Sequence, residues 1–194
     1  MTKGIEELKR DLDIISAMSQ DMDQYLNSDV LFWPMTYPAY PQLTLGSYLM
    51  RLNRLQILTI LLDEEEQSRL VSIDKSVQEA TRERIVQVEQ KAGQELGARI
   101  RQWEQHVQDF NLGTDVSKAY YKTDVQIRVI ITVLIQKLQT PPYQLDSQAL
   151  VKIGQLDDKL KGLWQPGEFV WPIEWIPAYP KLPYWWLYGL PILE

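Results

Sequence analysis

His106 is the only histidine in this chain of 194 residues, and cysteine is absent. Without cysteine there is no disulfide, no thiol nucleophile and no thiolate metal site. A di-iron helical bundle needs two Glu-x-x-His motifs and further carboxylates. Here the acid nearest His106 is Glu104, two positions away. No metal site is expected. Hydrolysis through His106 would need a serine or another nucleophile beside it, and the local sequence supplies none. A lone histidine near a helix C-terminus is more commonly a partner for the helix dipole.

Other chemistries fare no better. The phosphate-cradling Gly-x-x-x-x-Gly-Lys-Ser/Thr and the dinucleotide Gly-x-Gly-x-x-Gly are absent. Asp63-Glu64-Glu65-Glu66 lacks the alternating ligand spacing of a calcium loop and reads as a solvated turn. A carboxylate pair for glycoside chemistry can be drawn from Glu168, Glu174, Asp109 or Asp115 only by guessing at proximity. No catalytic residue is assigned and no cofactor is expected.

The specialised residues are aromatic. Trp33-Pro34-Met35-Thr36-Tyr37-Pro38-Ala39-Tyr40-Pro41-Gln42-Leu43 returns late in the chain as Trp171-Pro172-Ile173-Glu174-Trp175-Ile176-Pro177-Ala178-Tyr179-Pro180-Lys181-Leu182. Prolines stiffen each copy, and the rings offer large flat surfaces. Such platforms stack on sugars, bases or protein side chains. The candidate ligand or partner surface comprises Trp33, Tyr37 and Tyr40 from the first copy and Trp171, Trp175 and Tyr179 from the second. Trp103, His106 and Trp185 join it.

Helices must position these residues. Ile5, Leu8, Leu12, Ile15, Met18, Met22 and Tyr25 have helical spacing, ending near Asn27-Ser28. The connector 28–43 is too proline-rich for helix. Thr44 caps a second helix carrying Leu45, Tyr48, Leu52 and Leu55. A break is expected between Asp63 and Asp74, with the acidic run suiting a helix N-terminus. Val77, Thr81, Ile85, Val88, Ala92, Leu96, Ile100, Trp103, Val107 and Phe110 then mark one straight helix, at a mean step of about 3.67 residues. Gly93 and Gly97, one turn apart on it, predict a close helix approach. Asn111-Leu112-Gly113-Thr114 reads as a stop and a new start. A fourth, very apolar helix ends at Pro141-Pro142, and Asp146 caps a shorter fifth that Pro166-Gly167 closes. The segment 164–194 is expected to be irregular.

The expected fold is therefore one all-α domain, 1–194, an up-and-down bundle of four to five helices. If the helices alternate, the first, third and fifth end at one pole. The connector and the C-terminal tail would then meet as a proline- and aromatic-rich cap, with Trp103, His106 and Phe110 close by. Such a cap either seals the bundle end or forms a binding surface.

Asp29-Val30-Leu31-Phe32-Trp33-Pro34 and the ending Tyr184-Trp185-Trp186-Leu187-Tyr188-Gly189-Leu190-Pro191 resemble helical proteins of this length from filamentous green non-sulfur bacteria. The resemblance covers most of the chain and implies no activity. No site residue is carried over from it.

The totals agree with a small globular protein. Hydrophobic residues make up 45%, enough for a core. The net charge of −6 is spread evenly, with no basic face, so nucleic acid is not expected as a partner. The N-terminus turns acidic at once, and no apolar run approaches the roughly 20 residues of a membrane span. A cytoplasmic protein is expected. Its leading function is non-enzymatic: an interaction or scaffold protein, either a homodimer or a partner of another protein. The alternative is a small-ligand-binding protein or enzyme with its site under the aromatic cap. A concave pocket with converging polar groups would favour the alternative; exposed apolar area on a flatter face would favour interaction.

Overall fold

Leu8, Leu12, Ile15, Met18 and Met22 are all buried along α1 (Lys3–Asn27) in the computed structural model, which describes residues 2–111 and 115–192. The connector reverses the chain. Trp33 and Leu43 exchange backbone hydrogen bonds of 3.0 and 2.9 Å across it. The Thr44 hydroxyl accepts from the Ser47 N–H and starts α2 (Leu45–Ile57). α2 returns along α1, bringing Arg51 and Arg54 against Asp11. A short 3-10 turn, Thr59–Leu61, leads to α3 (Glu64–Glu83).

The acidic run does begin a helix. Asp63 accepts from Glu66 N at 2.9 Å, and the Glu66 carboxylate accepts from Asp63 N at 3.0 Å, a reciprocal capping box. α3 runs in the same sense as α1. The pairs Lys9–Glu66, Arg69–Asp13 and Arg84–Asp23 advance together along both helices.

The expected single straight helix over Val77–Phe110 is instead broken at Arg84. That residue has φ −127° and ψ 47°, outside helical geometry, and separates α3 from α4 (Ile85–Asn111). Ile85, which the periodic pattern places in the core, is exposed. α5 (Asp115–Gln139) lies antiparallel to α4, with Phe110 against Tyr121 and His106 beside Asp124. α6 (Ser147–Gly162), capped by Asp146 on Gln148 N, follows α4 in the same sense. Glu89 accepts from Gln144 N, and Lys152 pairs with Glu104. Leu112, Gly113 and Thr114, the core of the expected turn, lie outside the described residues.

The chain is mostly helical, in keeping with the all-α expectation, with one small addition: β1 (Trp164–Phe169) and β2 (Tyr188–Pro191) form a two-stranded antiparallel sheet in the segment expected to be irregular. With the break at Arg84, the described residues form six α-helices, where four to five were expected. Gly93 and Gly97 mark no close helix approach. A Cβ on Gly93 would meet nothing within 4 Å, and one on Gly97 only the mobile end of Arg101. The close approach is at Gly46, where a Cβ would lie 2.5 Å from Ile130 Cγ2 and 2.9 Å from Glu95 Oε1. No described helix is long and apolar enough to cross a membrane.

Candidate functional site

The second aromatic copy folds around a buried cation. Residues Ile173–Ala178 form a 3-10 helix that turns Trp175 and Tyr179 inward. Their rings and that of Trp171 surround the Arg54 guanidinium. Its carbon lies 3.7 Å from the Trp175 ring centroid, 5.3 Å from Trp171 and 5.5 Å from Tyr179. A guanidinium over an indole face is attracted by the ring quadrupole, most strongly out of water, and Arg54 is only 4% exposed. Its Nε donates to the Tyr179 hydroxyl at 2.9 Å and its Nη1 to Asp11 Oδ2 at 2.7 Å. Burial pushes the Tyr179 pKa up, so the phenol keeps its proton and accepts from Arg54.

Arg51, one helical turn before Arg54, completes the cluster. Its Nη1 donates to the Ser47 carbonyl and hydroxyl. Its Nε lies 3.0 Å from Asp11 Oδ1, but the N–H is not aligned for a hydrogen bond. Burial lowers the Arg51 pKa from its ordinary value, with Asp11 acting in the opposite sense.

These groups floor a cleft of about 840 Å³. α1 and α2 give one side, and Lys122, Thr123 and Gln126 of α5 the other. Ala39 and Pro41 of the connector and Val170, Trp171, Pro172, Glu174 and Trp175 of the tail complete the rim. The indole N–H of Trp171 donates to the Lys122 carbonyl at 2.8 Å, and that of Trp175 to the Gly4 carbonyl at 3.0 Å. These bonds tie the tail to two helices and hold the cleft wall in place.

The remaining predicted residues separate into other groups. Trp103 is fully buried on α4 and stacks through Phe110 and Tyr121 to Trp164, which meets Trp185. This is a packing ladder in the interior. His106 stands beside it, its Nδ1 3.3 Å from Asp124 Oδ2. Burial raises the Asp124 pKa despite the nearby imidazole. The pair lines a second cleft of about 750 Å³ with Phe32 and Arg99. Among the described residues no hydroxyl is hydrogen-bonded to His106.

The first aromatic copy does not mirror the second. Tyr37 is 65% exposed and meets only Tyr40 among the rings, and Trp33 is half-buried at its bridge with Leu43. Residues of the connector and of the tail line the same cleft, while their rings form separate clusters. Among the described residues no three His, Asp or Glu side chains are grouped to hold a metal.

Of the nine residues expected at the site, Trp171 and Trp175 line this cleft, and sequence reasoning missed Arg51, Arg54 and Asp11. A signal existed. Arg51 and Arg54 are spaced i, i+3 beside a wide leucine stripe, and Asp11 adjoins the apolar face of α1. Charges at such positions are solvated or paired across the interface, and here they are paired. Compared with known protein families, curated proteins and solved structures, the chain matches none.

Proposed function

We propose that this protein binds a small ligand in the cleft between α1, α2, α5 and the C-terminal tail. One observation carries the reading: the cleft is concave, and aromatic side chains and buried polar groups converge on it. Its volume of about 840 Å³ falls in the usual range for small-molecule sites. Trp171 offers a flat surface, and Arg51, Arg54 and Asp11 offer directional hydrogen bonding.

The test is a fragment screen on the full chain, read through the indole N–H resonances. Ligands of the cleft are expected to shift Trp171 and Trp175 and leave the interior Trp103 unchanged. A chemically broad library that moves neither cleft indole would overturn the reading.

A second reading has its own support. Ile60, Leu182 and Ile173 are 86%, 83% and 74% exposed, unusually bare for large aliphatic side chains. Docking of a second copy of the chain or of another protein would take such side chains out of water. Sedimentation at increasing concentration tests self-association. A monomer throughout, with no gain on changing these three residues to serine, removes the homodimer.

A further inference from the structure

The Arg51–Arg54–Asp11 cluster is unbalanced. Two guanidinium groups, 6% and 4% exposed, share one carboxylate. A buried charge without a counter-charge is costly, and native structures supply one. Arg54 is well served, by an aligned bond to Asp11, by Tyr179 and by three aromatic faces. Arg51 is not. Its Nε lies 3.0 Å from Asp11 Oδ1 but the Nε–H is misaligned and has no hydrogen-bond partner. Both arginines line the cleft.

The rim continues the imbalance. Lys3, Arg10 and Lys122 line it against Glu7 and Glu174. Glu7 lies 3.6 Å from Lys3. Glu174 is held at the start of α1, where the Thr2 side chain hydrogen-bonds to it and lowers its pKa. A cleft with surplus positive charge is unexpected in a chain of net charge −6.

We infer that the ligand of this cleft is a small organic anion: a carboxylate or phosphate group received by Arg51, with a flat apolar body against Trp171. The inference rests on the ligand-binding reading above. Arg51 Nη1 is given to Ser47, so the anion meets the remaining N–H groups of the guanidinium, which bind either oxyanion through charge-assisted hydrogen bonds. The anion supplies the missing counter-charge, and Asp11 keeps Arg54 and Arg51 oriented toward it.

The experiment compares benzoate and phenyl phosphate with benzamide, a neutral molecule of benzoate's shape. Binding to the full chain is followed by the Trp171 indole resonance and by thermal midpoint. Both anions, or one of them, are expected to bind saturably and raise the midpoint, as any ligand of the native state must. Benzamide is expected to bind at least about tenfold more weakly. The tighter of the two anions identifies the head group. Arg51→Met leaves Asp11 and Arg54 as a one-to-one pair, so it is expected to keep its midpoint in anion-free buffer and lose the anion response. If that variant does not fold, Arg10→Gln at the exposed rim decides. It should keep the native midpoint and weaken benzoate a few-fold, as removing a rim charge does; an unchanged affinity overturns the inference. Benzamide binding as tightly as benzoate also overturns it, while leaving the cleft a ligand site. Failure of all three probes, with a silent fragment screen, removes both readings.

Discussion

Glu95 is fully buried where α4 crosses the start of α2, and its carboxylate accepts from the Gly46 N–H at 2.7 Å and from Arg99 Nε at 3.3 Å. The free N–H groups of a helix start favour an anion there. Burial still outweighs these partners and raises the Glu95 pKa above its ordinary value. Folded Glu95 thus holds a proton at a pH where the unfolded chain has released it. Stability from this group is full at acid pH and is lost as pH rises from the ordinary glutamate range through the raised folded value. Glu95→Gln removes the titration and keeps an acceptor for Gly46. Denaturant unfolding at a series of pH values should show the wild type losing stability relative to the variant as pH rises above the ordinary glutamate range. A pH-independent difference would contradict this. Gly46 makes a second prediction at the same crossing. Gly46→Ala must displace Ile130 and Glu95 and is expected to cost about 1–3 kcal/mol by overpacking. Gly93→Ala faces open space and should gain roughly 0.5–1 kcal/mol in helix propensity. Sequence alone ranks these glycines the other way. Spacing one turn apart suggested packing at Gly93, whereas only the tertiary fold shows which glycine faces another helix.

At the scale of elements, what was legible is what short-range chemistry decides. Thr44 and Asp146 cap the helices that follow them, because their side-chain oxygens reach N–H groups two or three residues on. Asp63 and Glu66 form a full capping box, reinforced by Lys9 from α1 at 2.7 Å from Glu66. Asp63→Ala should therefore cost about 0.5–2 kcal/mol, measured as a shift in the denaturation midpoint at unchanged slope. A loss well below this range would mean that the frame of α1 and α3 holds the helix start without its cap. The break at Arg84 was not legible. Glu83-Arg84-Ile85 contains neither proline nor glycine, and the apolar period runs through it without a slip. At the break, Arg84 Nη1 bonds back to the Ala80 carbonyl and lies 3.2 Å from Asp23 of α1, a tertiary contact that the local sequence does not announce. The two strands were hidden for a different reason. β1 contains Pro166 and Gly167, residues that argue against a strand interior. Both strands are edges, where proline is tolerated, and Gly189, at φ +150°, lets the chains approach where a Cβ would strike the Gln165 carbonyl.

At the scale of the whole molecule, the tail is structural and also forms part of the cleft. The abundance of Trp and Tyr in it made its burial legible, but which charge those rings would cover was not, because Arg54 lies 125 residues from Tyr179 in the chain. Trp175, Tyr179, Tyr184, Trp186 and Leu187 are all buried. Each large side chain contributes roughly 1.5–3 kcal/mol on burial, while a domain's net stability is only about 5–15 kcal/mol. Truncation after Gly167 removes all five, leaves β1 without its partner, and strips Arg54 of its aromatic cover and of the Tyr179 hydroxyl. It also takes the acceptor that Tyr121 uses, the Trp186 carbonyl at 2.7 Å. The ordering entropy recovered by freeing the tail is reduced by its prolines, which restrict the unfolded chain. The expected outcome is loss of the cooperative thermal transition, read by near-ultraviolet circular dichroism, with much helix remaining in the far ultraviolet. Loss of a dimer without loss of the transition would move the tail's role to an interface. A truncated monomer that melts within a few degrees of the full chain would show that the helices alone hold the Arg51–Arg54–Asp11 cluster, and that the tail serves only as the cleft's aromatic wall.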